Sequence, residues 1–266
     1  MSTKITILVL VMAAMIVAPA VADVVTVSGP SQVEDAVVRG DEPDANLGQH
    51  AGDKVSRMFV DANGWGVGRH WLVKFDLSAI PTGSTIVSAT YGIYVRRNSG
   101  RTVPTVNDYQ ISRLQAGKGW IEGLDDYERP ARAGDVTWSH QAFGSTPWET
   151  GGATGASDID LATSVSWDVA GNNIDPGYIT VDLKNMVQDW VSGTWENNGM
   201  LHWGGTYETP VGDNQVYNWT YSSESIETTR LPYLTIEYTV VPEPSSLLAL
   251  AAFGAAGLGF IRRRRS

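Results

Sequence analysis

In three separate stretches of this 266-residue chain, apolar side chains fall on every second position. Trp71, Val73, Phe75 and Leu77 alternate with His70, Lys74 and Asp76. Val87, Ala89, Tyr91, Ile93 and Val95 repeat the pattern, and so do Leu234, Ile236, Tyr238 and Val240. Successive side chains of a strand point to opposite faces, so a period of two predicts strands with one face on a core. Pro81 and Gly83 mark a turn between the first two stretches. Tyr109 with Ile111, and residues 216–221, read as further strands. One segment is helical: Leu183, Met186, Val187 and Trp190 share a face, with Asp182 as the N-cap and Gly193 as the stop. Residues 144–157, rich in Gly, Thr and Ser, read as a long surface loop. Many short strands with Gly- and Pro-rich connections predict an all-β chain, a single jelly-roll-type β-sandwich with one short helix.

The two ends follow different rules. Lys4 precedes an unbroken apolar run over residues 5–17, and Ala20-Val21-Ala22 offers the small-x-small pattern that signal peptidase fits. Residues 1–22 are therefore expected to be a cleaved signal helix, leaving Asp23 as the mature N-terminus. At the other end, Pro242-Glu243-Pro244 leads into fifteen apolar residues, 247–261, and then Arg262, Arg263, Arg264 and Arg265. Fifteen helical residues reach about 22 Å, short of a hydrocarbon core of about 30 Å, so the predicted span is transient. The arginines stay cytoplasmic, which puts the rest of the chain outside. This order closely resembles the PEP-CTERM sorting signal, assigned here to residues 242–266. The resemblance implies an exosortase-type enzyme that cuts near Pro242-Glu243-Pro244 in a Gram-negative bacterium. The protein would then be anchored briefly in the inner membrane before reaching the cell surface or the medium.

Between the tags lies one expected domain, residues 23–241, long enough for one good core. With no cysteine, packing or a bound metal must supply its stability. Setting aside Lys4, Glu243 and the four terminal arginines leaves 14 basic and 28 acidic residues, a net charge of −14. Such a surface repels phosphate backbones, so nucleic acid is excluded as an expected partner.

The stretch Trp71-Leu72-Val73-Lys74-Phe75-Asp76-Leu77-Ser78-Ala79-Ile80-Pro81-Thr82-Gly83 resembles the core motif of the DNRLRE domain family. Ordered blocks extend the likeness along nearly the whole mature chain. They are Asp35 with Asp41-Glu42-Pro43-Asp44-Ala45-Asn46-Leu47-Gly48, Val87-Ser88-Ala89-Thr90, Gly119-Trp120-Ile121-Glu122-Gly123, Val136-Thr137-Trp138, Pro147-Trp148 with Gly151-Gly152, Val187-Gln188-Asp189-Trp190 with Asn197-Asn198-Gly199, Tyr221-Ser222-Ser223-Glu224 and Arg230-Leu231-Pro232-Tyr233-Leu234. The segment 50–55 and the acidic loop 122–134 depart from the pattern. The resemblance implies a β-sandwich of carbohydrate-binding-module type, and in some relatives an affinity for acidic polysaccharides.

Sugar rings stack on indole, and the chain has ten tryptophans. Trp71, Trp190, Trp138 and Trp148 are expected in packing roles, whereas Trp65, Trp195 and Trp219 are the candidate platforms. Arg96, Arg97 and Arg101 are placed to pair with uronate carboxylates. Structural Ca²⁺ is the expected cofactor, since it takes six to eight hard oxygens. Asp41, Glu42, Asp44 and Asn46 cluster in one loop, and Asp61 with Asn63 forms a second candidate. No enzyme is expected. Four scattered histidines lack metal-ligand spacing, no nucleophile elbow occurs, and a glycosidase pair such as Glu122 with Asp125 or Asp126 would need carboxyls about 5 to 9.5 Å apart. The expectation is an exported, non-catalytic surface or matrix protein that binds polysaccharide. The alternatives are a structural surface protein without a ligand or, less favoured, a polysaccharide-active enzyme.

Overall fold

A computed structural model describes residues 22–49, 58–61, 68–100, 109–124, 130–167, 177–204 and 216–240; at 58–61, 96–100 and 216–219 it describes the backbone alone. In chain order the first strands are β1 (Ala22–Ser28), β2 (Val33–Arg39), β3 (Met58–Asp61), β4 (Arg69–Phe75), β5 (Thr85–Gly100) and β6 (Tyr109–Arg113). They are followed by β7 (His140–Ala142), β8 (Thr146–Pro147), β9 (Val165–Trp167), β10 (Gly177–Asp182), the helix α1 (Lys184–Ser192), β11 (Met200–Trp203), β12 (Val216–Thr220) and β13 (Tyr233–Thr239). Eleven strands hydrogen-bond in the order β1-β13-β5-β12-β3-β4-β11-β6-β9, with β10 beside β5 and β2 beside β4, while β7 and β8 form a separate pair. All the strand pairings are antiparallel. The domain is mostly β, with one helix.

β4 holds the centre and is buried on both faces. Trp71, Val73 and Phe75 enter the main core with Val33, Val37, Tyr91, Ile93, Ile111, Met200, Leu234 and Ile236. Leu72, on the opposite face, joins a second cluster with Ala36, Val38, Leu114, Trp120, Trp148, Ile159 and Leu201. A half-buried strand was expected here. Leu114, Trp120, Val136, Trp148, Ala153 and Ile159 pack over the far face instead, and His70, on the polar side of the alternation, is fully buried. Its imidazole Nδ1 hydrogen-bonds the Gly152 carbonyl at 2.6 Å.

The segment 144–157 therefore does more than skirt the surface. Trp148 and Ala153 are buried, and Asp158 takes the backbone N–H groups of Glu149, Thr150 and Gly155 at 3.0–3.1 Å together with the Lys118 ammonium at 2.8 Å. A carboxylate that accepts several N–H groups fixes a loop which hydrophobic periodicity cannot reveal. These bonds hold the Asp158 carboxyl below its ordinary range against the opposing effect of burial, which is the largest single influence.

The helix matches its sequence signals closely. Gly193 is the left-handed C-cap at φ 72°. Asp182 accepts the Lys184 N–H at 2.8 Å, although the N-cap position itself falls to Leu183. Met186, Val187, Trp190 and Val191 are buried, and Gln188 bridges to β5 through the Ile86 N–H. Val87 departs from its expected inward place. A bulge where Glu237 and Tyr238 face Ser88 and Ile86 turns Val87 outward, 41% exposed.

Among the described residues no helix is long and apolar enough to cross a membrane. Most of the expected leader and of the sorting tail lies outside the described residues, with Ala20, Pro242, Glu243, Pro244 and Arg262–Arg265; Ala22, expected to end the leader helix, opens β1.

Candidate functional site

None of the eight tryptophans whose side chains are described is exposed. Trp71, Trp120, Trp148, Trp167 and Trp190 are buried, and Trp138, Trp195 and Trp203 are half-buried. Trp195 gives its indole N–H to the Leu114 carbonyl at 2.8 Å, and the Arg113 guanidinium lies 3.8 Å over its ring. That guanidinium is itself buried and paired with Asp160 and Asp189. One face of Trp195 is thus already occupied by protein. Trp65, Arg101, Asn63, Asp125 and Asp126 lie outside the described residues, as do the side chains of Trp219, Arg96, Arg97 and Asp61.

Aromatic side chains do gather on the outer face of the β1-β13-β5-β10 sheet, but they are tyrosines. Tyr94 and Tyr178 are cross-strand partners with ring centroids 5.2 Å apart at 89°; Tyr178 and Tyr233 are 5.2 Å apart at 62°. Edge-to-face pairs of this kind hold rings in place. Tyr178 is 40% exposed, while Tyr94 and Tyr233 are half-buried. The Tyr178 hydroxyl lies 3.1 Å from the Thr229 carbonyl and 3.0 Å from that of Leu231, which anchors the ring to the 229–231 loop. Arg230, from the same loop, sits 5.2 Å over Tyr94 and donates to the Tyr221 hydroxyl at 2.8 Å. Glycine at 92 permits this packing: a Cβ there would fall 2.1 Å from the Tyr233 ring. The same face carries a row of short hydroxyls, Thr26, Thr235 and Thr90 in register, with the Thr26 and Thr235 hydroxyls 3.0 Å apart, and beyond it the row Val24, Glu237 and Ser88. Tyr94, Tyr178 and Tyr233 are not among the residues expected from sequence to contact a sugar. The available signal was that Tyr94 and Tyr178 hold the outward positions of their strands.

Of the loop residues expected to hold calcium, Asp41 and Asn46 are engaged in other ways. Asp41 accepts from Arg39 Nε at 3.0 Å and Arg69 Nη2 at 3.2 Å, and the Arg39 hydrogen bond holds its carboxyl below the ordinary range. Asp44 is exposed, and its carbonyl accepts the Ala131 N–H. Asn46 is fully buried: its amide donates to the Glu122 and Val136 carbonyls at 2.8 and 2.9 Å, and its oxygen accepts the Gly48 N–H.

A different set of carboxyls converges. One oxygen each from Asp35, Glu122 and Glu224 lies within 4.8 Å of the others. Asp35 comes from β2, Glu122 from the loop after β6, and Glu224 from the loop after β12. Glu122 Oε1 takes the Asp35 N–H at 2.9 Å, on the side of β2 away from β4. Asp35 Oδ2 takes the Ser223 N–H at 2.7 Å, and the Ser223 hydroxyl donates to Glu224. Burial pushes all three carboxyls upward, Glu122 to about 8, and their mutual repulsion adds to the shifts of Asp35 and Glu122. Two close approaches lock the region: a Cβ at Gly48 would fall 1.8 Å from the Glu122 carbonyl oxygen, and one at Gly123 would fall 2.3 Å from Asn46 Oδ1.

A cleft of about 450 Å³ runs along the end of β2 and β4, lined by Gln32, Glu34, Lys74, Asp76 and Asn197. The Lys74–Glu34 ion pair at 2.8 Å crosses it, and its aromatic residue, Phe75, is buried.

The PEP-CTERM protein-sorting motif matches residues 240–265. No curated protein matches the chain. The match begins one residue after β13 ends and takes in the Pro-Glu-Pro triplet, the apolar run and the four arginines. Over its last residues the chain is thus similar to proteins with this motif, which marks it as exported and processed at the membrane by an exosortase-type enzyme.

Proposed function

We propose that the exported domain is a non-catalytic surface or matrix protein that holds polysaccharide on its outer sheet face. The observation that carries this reading is Tyr178, 40% exposed and held edge-on between Tyr94 and Tyr233 beside Arg230. Fixed aromatic rings offer faces to the axial C–H groups of a pyranose at little entropic cost. The threonine ladder supplies hydroxyls along the same face, and Arg230 supplies a guanidinium suited to a uronate carboxylate. The DNRLRE resemblance supports the same ligand class and a jelly-roll-type sandwich. Affinity electrophoresis of the exported protein through gels containing alginate, pectate or neutral glucan tests the proposal. Retardation by an acidic polymer that Tyr178→Ala abolishes is expected; equal mobility in every gel would contradict it.

The burial of the described tryptophans favours a second reading, a structural surface protein without a ligand. The same gels separate the two, because that reading requires no retardation by any polymer.

A further inference from the structure

We propose that Asp35, Glu122 and Glu224 form a binding site for a structural Ca²⁺ ion that ties β2 to the loops around Glu122 and Glu224. The site is separate from the tyrosine face and does not use the Asp41 or Asp44 carboxylates, so the proposal stands whether or not the protein binds polysaccharide.

Three acidic side chains gathered in one place would not by themselves define a site, since such clusters are common on solvated surfaces. Here the decisive feature is Asp35. It is 1% exposed, and among the described residues its Oδ1 has no hydrogen-bond partner. Its other oxygen is committed to the Ser223 N–H. Glu224 repeats the arrangement beside the Glu122 carboxyl, with Oε1 accepting from Ser223 and Oε2 buried without a hydrogen-bond partner among the described residues. A buried carboxylate oxygen with nothing to accept from is costly unless a proton or a cation meets it. The charges pressing on Asp35 and Glu122 are those of the other members and of Glu34. Repulsion inside the cluster is thus relieved by protons or by a cation.

The chemistry of the donors selects the ion. All three are hard carboxylate oxygens, and the chain has no cysteine, which disfavours zinc and other soft-ligand metals. One oxygen from each of three carboxylates converges, and Ca²⁺, which takes six to eight oxygens in irregular geometry, can complete its shell with water, whereas Mg²⁺ demands a near-ideal octahedron. Glu122 and Glu224 are half-buried and Asp35 lies beneath them, so the ion approaches from the glutamate side. An exported protein meets calcium at concentrations that extracellular sites of modest affinity can use.

The experiment is thermal unfolding and titration calorimetry of the exported protein at pH 7.5, stripped with chelator and then given Ca²⁺ or Mg²⁺. Ca²⁺ should raise the melting temperature by about 5 °C or more at a hundredfold excess over its Kd, with one ion bound and a weaker response to Mg²⁺. Glu122→Gln and Glu224→Gln should each lose the calcium response. Without metal they should melt at or above the unsubstituted protein, because each removes a repelling charge; a general loss of packing would lower the melt instead. Asp41→Asn should keep the full response. The site is refuted if stripped, folded protein shows neither binding heat nor a melting shift with Ca²⁺. It is equally refuted if the response survives the Glu122→Gln/Glu224→Gln double substitution.

Discussion

Ala22 and Thr239 are cross-strand partners, the first residue of β1 opposite the last residue of β13. The expected leader cleavage falls immediately after Ala22, and the sorting motif begins immediately after Thr239. The expected leader and the sorting motif therefore join the folded domain at the same end of one strand pair, and removing both would leave the register from Asp23–Tyr238 to Ser28–Tyr233 intact.

Processing at both ends should accordingly leave stability unchanged. Intact-mass measurement of exported protein is expected to give an N-terminus at Asp23 and a C-terminus near Pro242-Glu243-Pro244. A melting temperature within about 1 °C of the uncut chain is expected alongside it. Retention of Met1 or of the arginines in the exported form would contradict the first point.

The main core is tuned around His202. Its ring lies 4.7 Å from Trp71 and its Nε2 is 3.2 Å from the Tyr91 hydroxyl. Trp71→Ala should cost about 3–5 kcal/mol, as large aromatic truncations in cores do. Chemical denaturation read by tryptophan fluorescence measures it.

Stability should respond to pH in two opposed windows. Burial lowers the His202 pKa from 6.5 to about 3, so the unfolded chain binds a proton that the folded chain refuses. That contribution is present above pH 6.5 and is lost as pH falls toward 3. Glu122 behaves in the opposite sense. Its carboxyl is raised from 4.5 to about 8, so its contribution is full below pH 4.5 and is lost as pH rises through 8, with Asp35 and Glu224 acting in the same direction. Metal-free protein should therefore be most stable at mildly acidic pH, and Glu122→Gln should flatten the alkaline limb. A denaturant-midpoint series from pH 4 to 9 reads both limbs.

Two glycines should tolerate no side chain. Gly48→Ala drives a Cβ against the Glu122 backbone carbonyl, and Gly92→Ala drives one into the Tyr233 ring. Each is expected to cost about 1–3 kcal/mol. Their other effects should differ: Gly48→Ala weakens the calcium response, while Gly92→Ala weakens polysaccharide retardation. Melting and gel measurements on the pair separate these outcomes.

Local signals were legible in the sequence because they are written within a few residues. The alternation over β4, β5 and β13 and the helix stop at Gly193 needed only neighbouring positions. What escaped depends on distance along the chain. Residues 35, 122 and 224 meet through the tertiary fold, and no spacing rule joins them. The aromatic face escaped because its exposed ring, Tyr178, stands on a strand and meets Tyr94 and Tyr233 only through strand pairing. The double burial of β4 escaped because a layer built on Asp158 carries no periodicity.

Retardation of the exported protein in an acidic-polysaccharide gel, compared with Tyr178→Ala and Arg230→Ala, measures the proposed role most directly. Strong retardation of the unsubstituted protein is expected. Tyr178→Ala should lose it in every retarding gel, and Arg230→Ala should lose it in uronate gels. Unretarded migration of the folded, unsubstituted protein, or retardation that both variants keep in full, would contradict polysaccharide binding on this face.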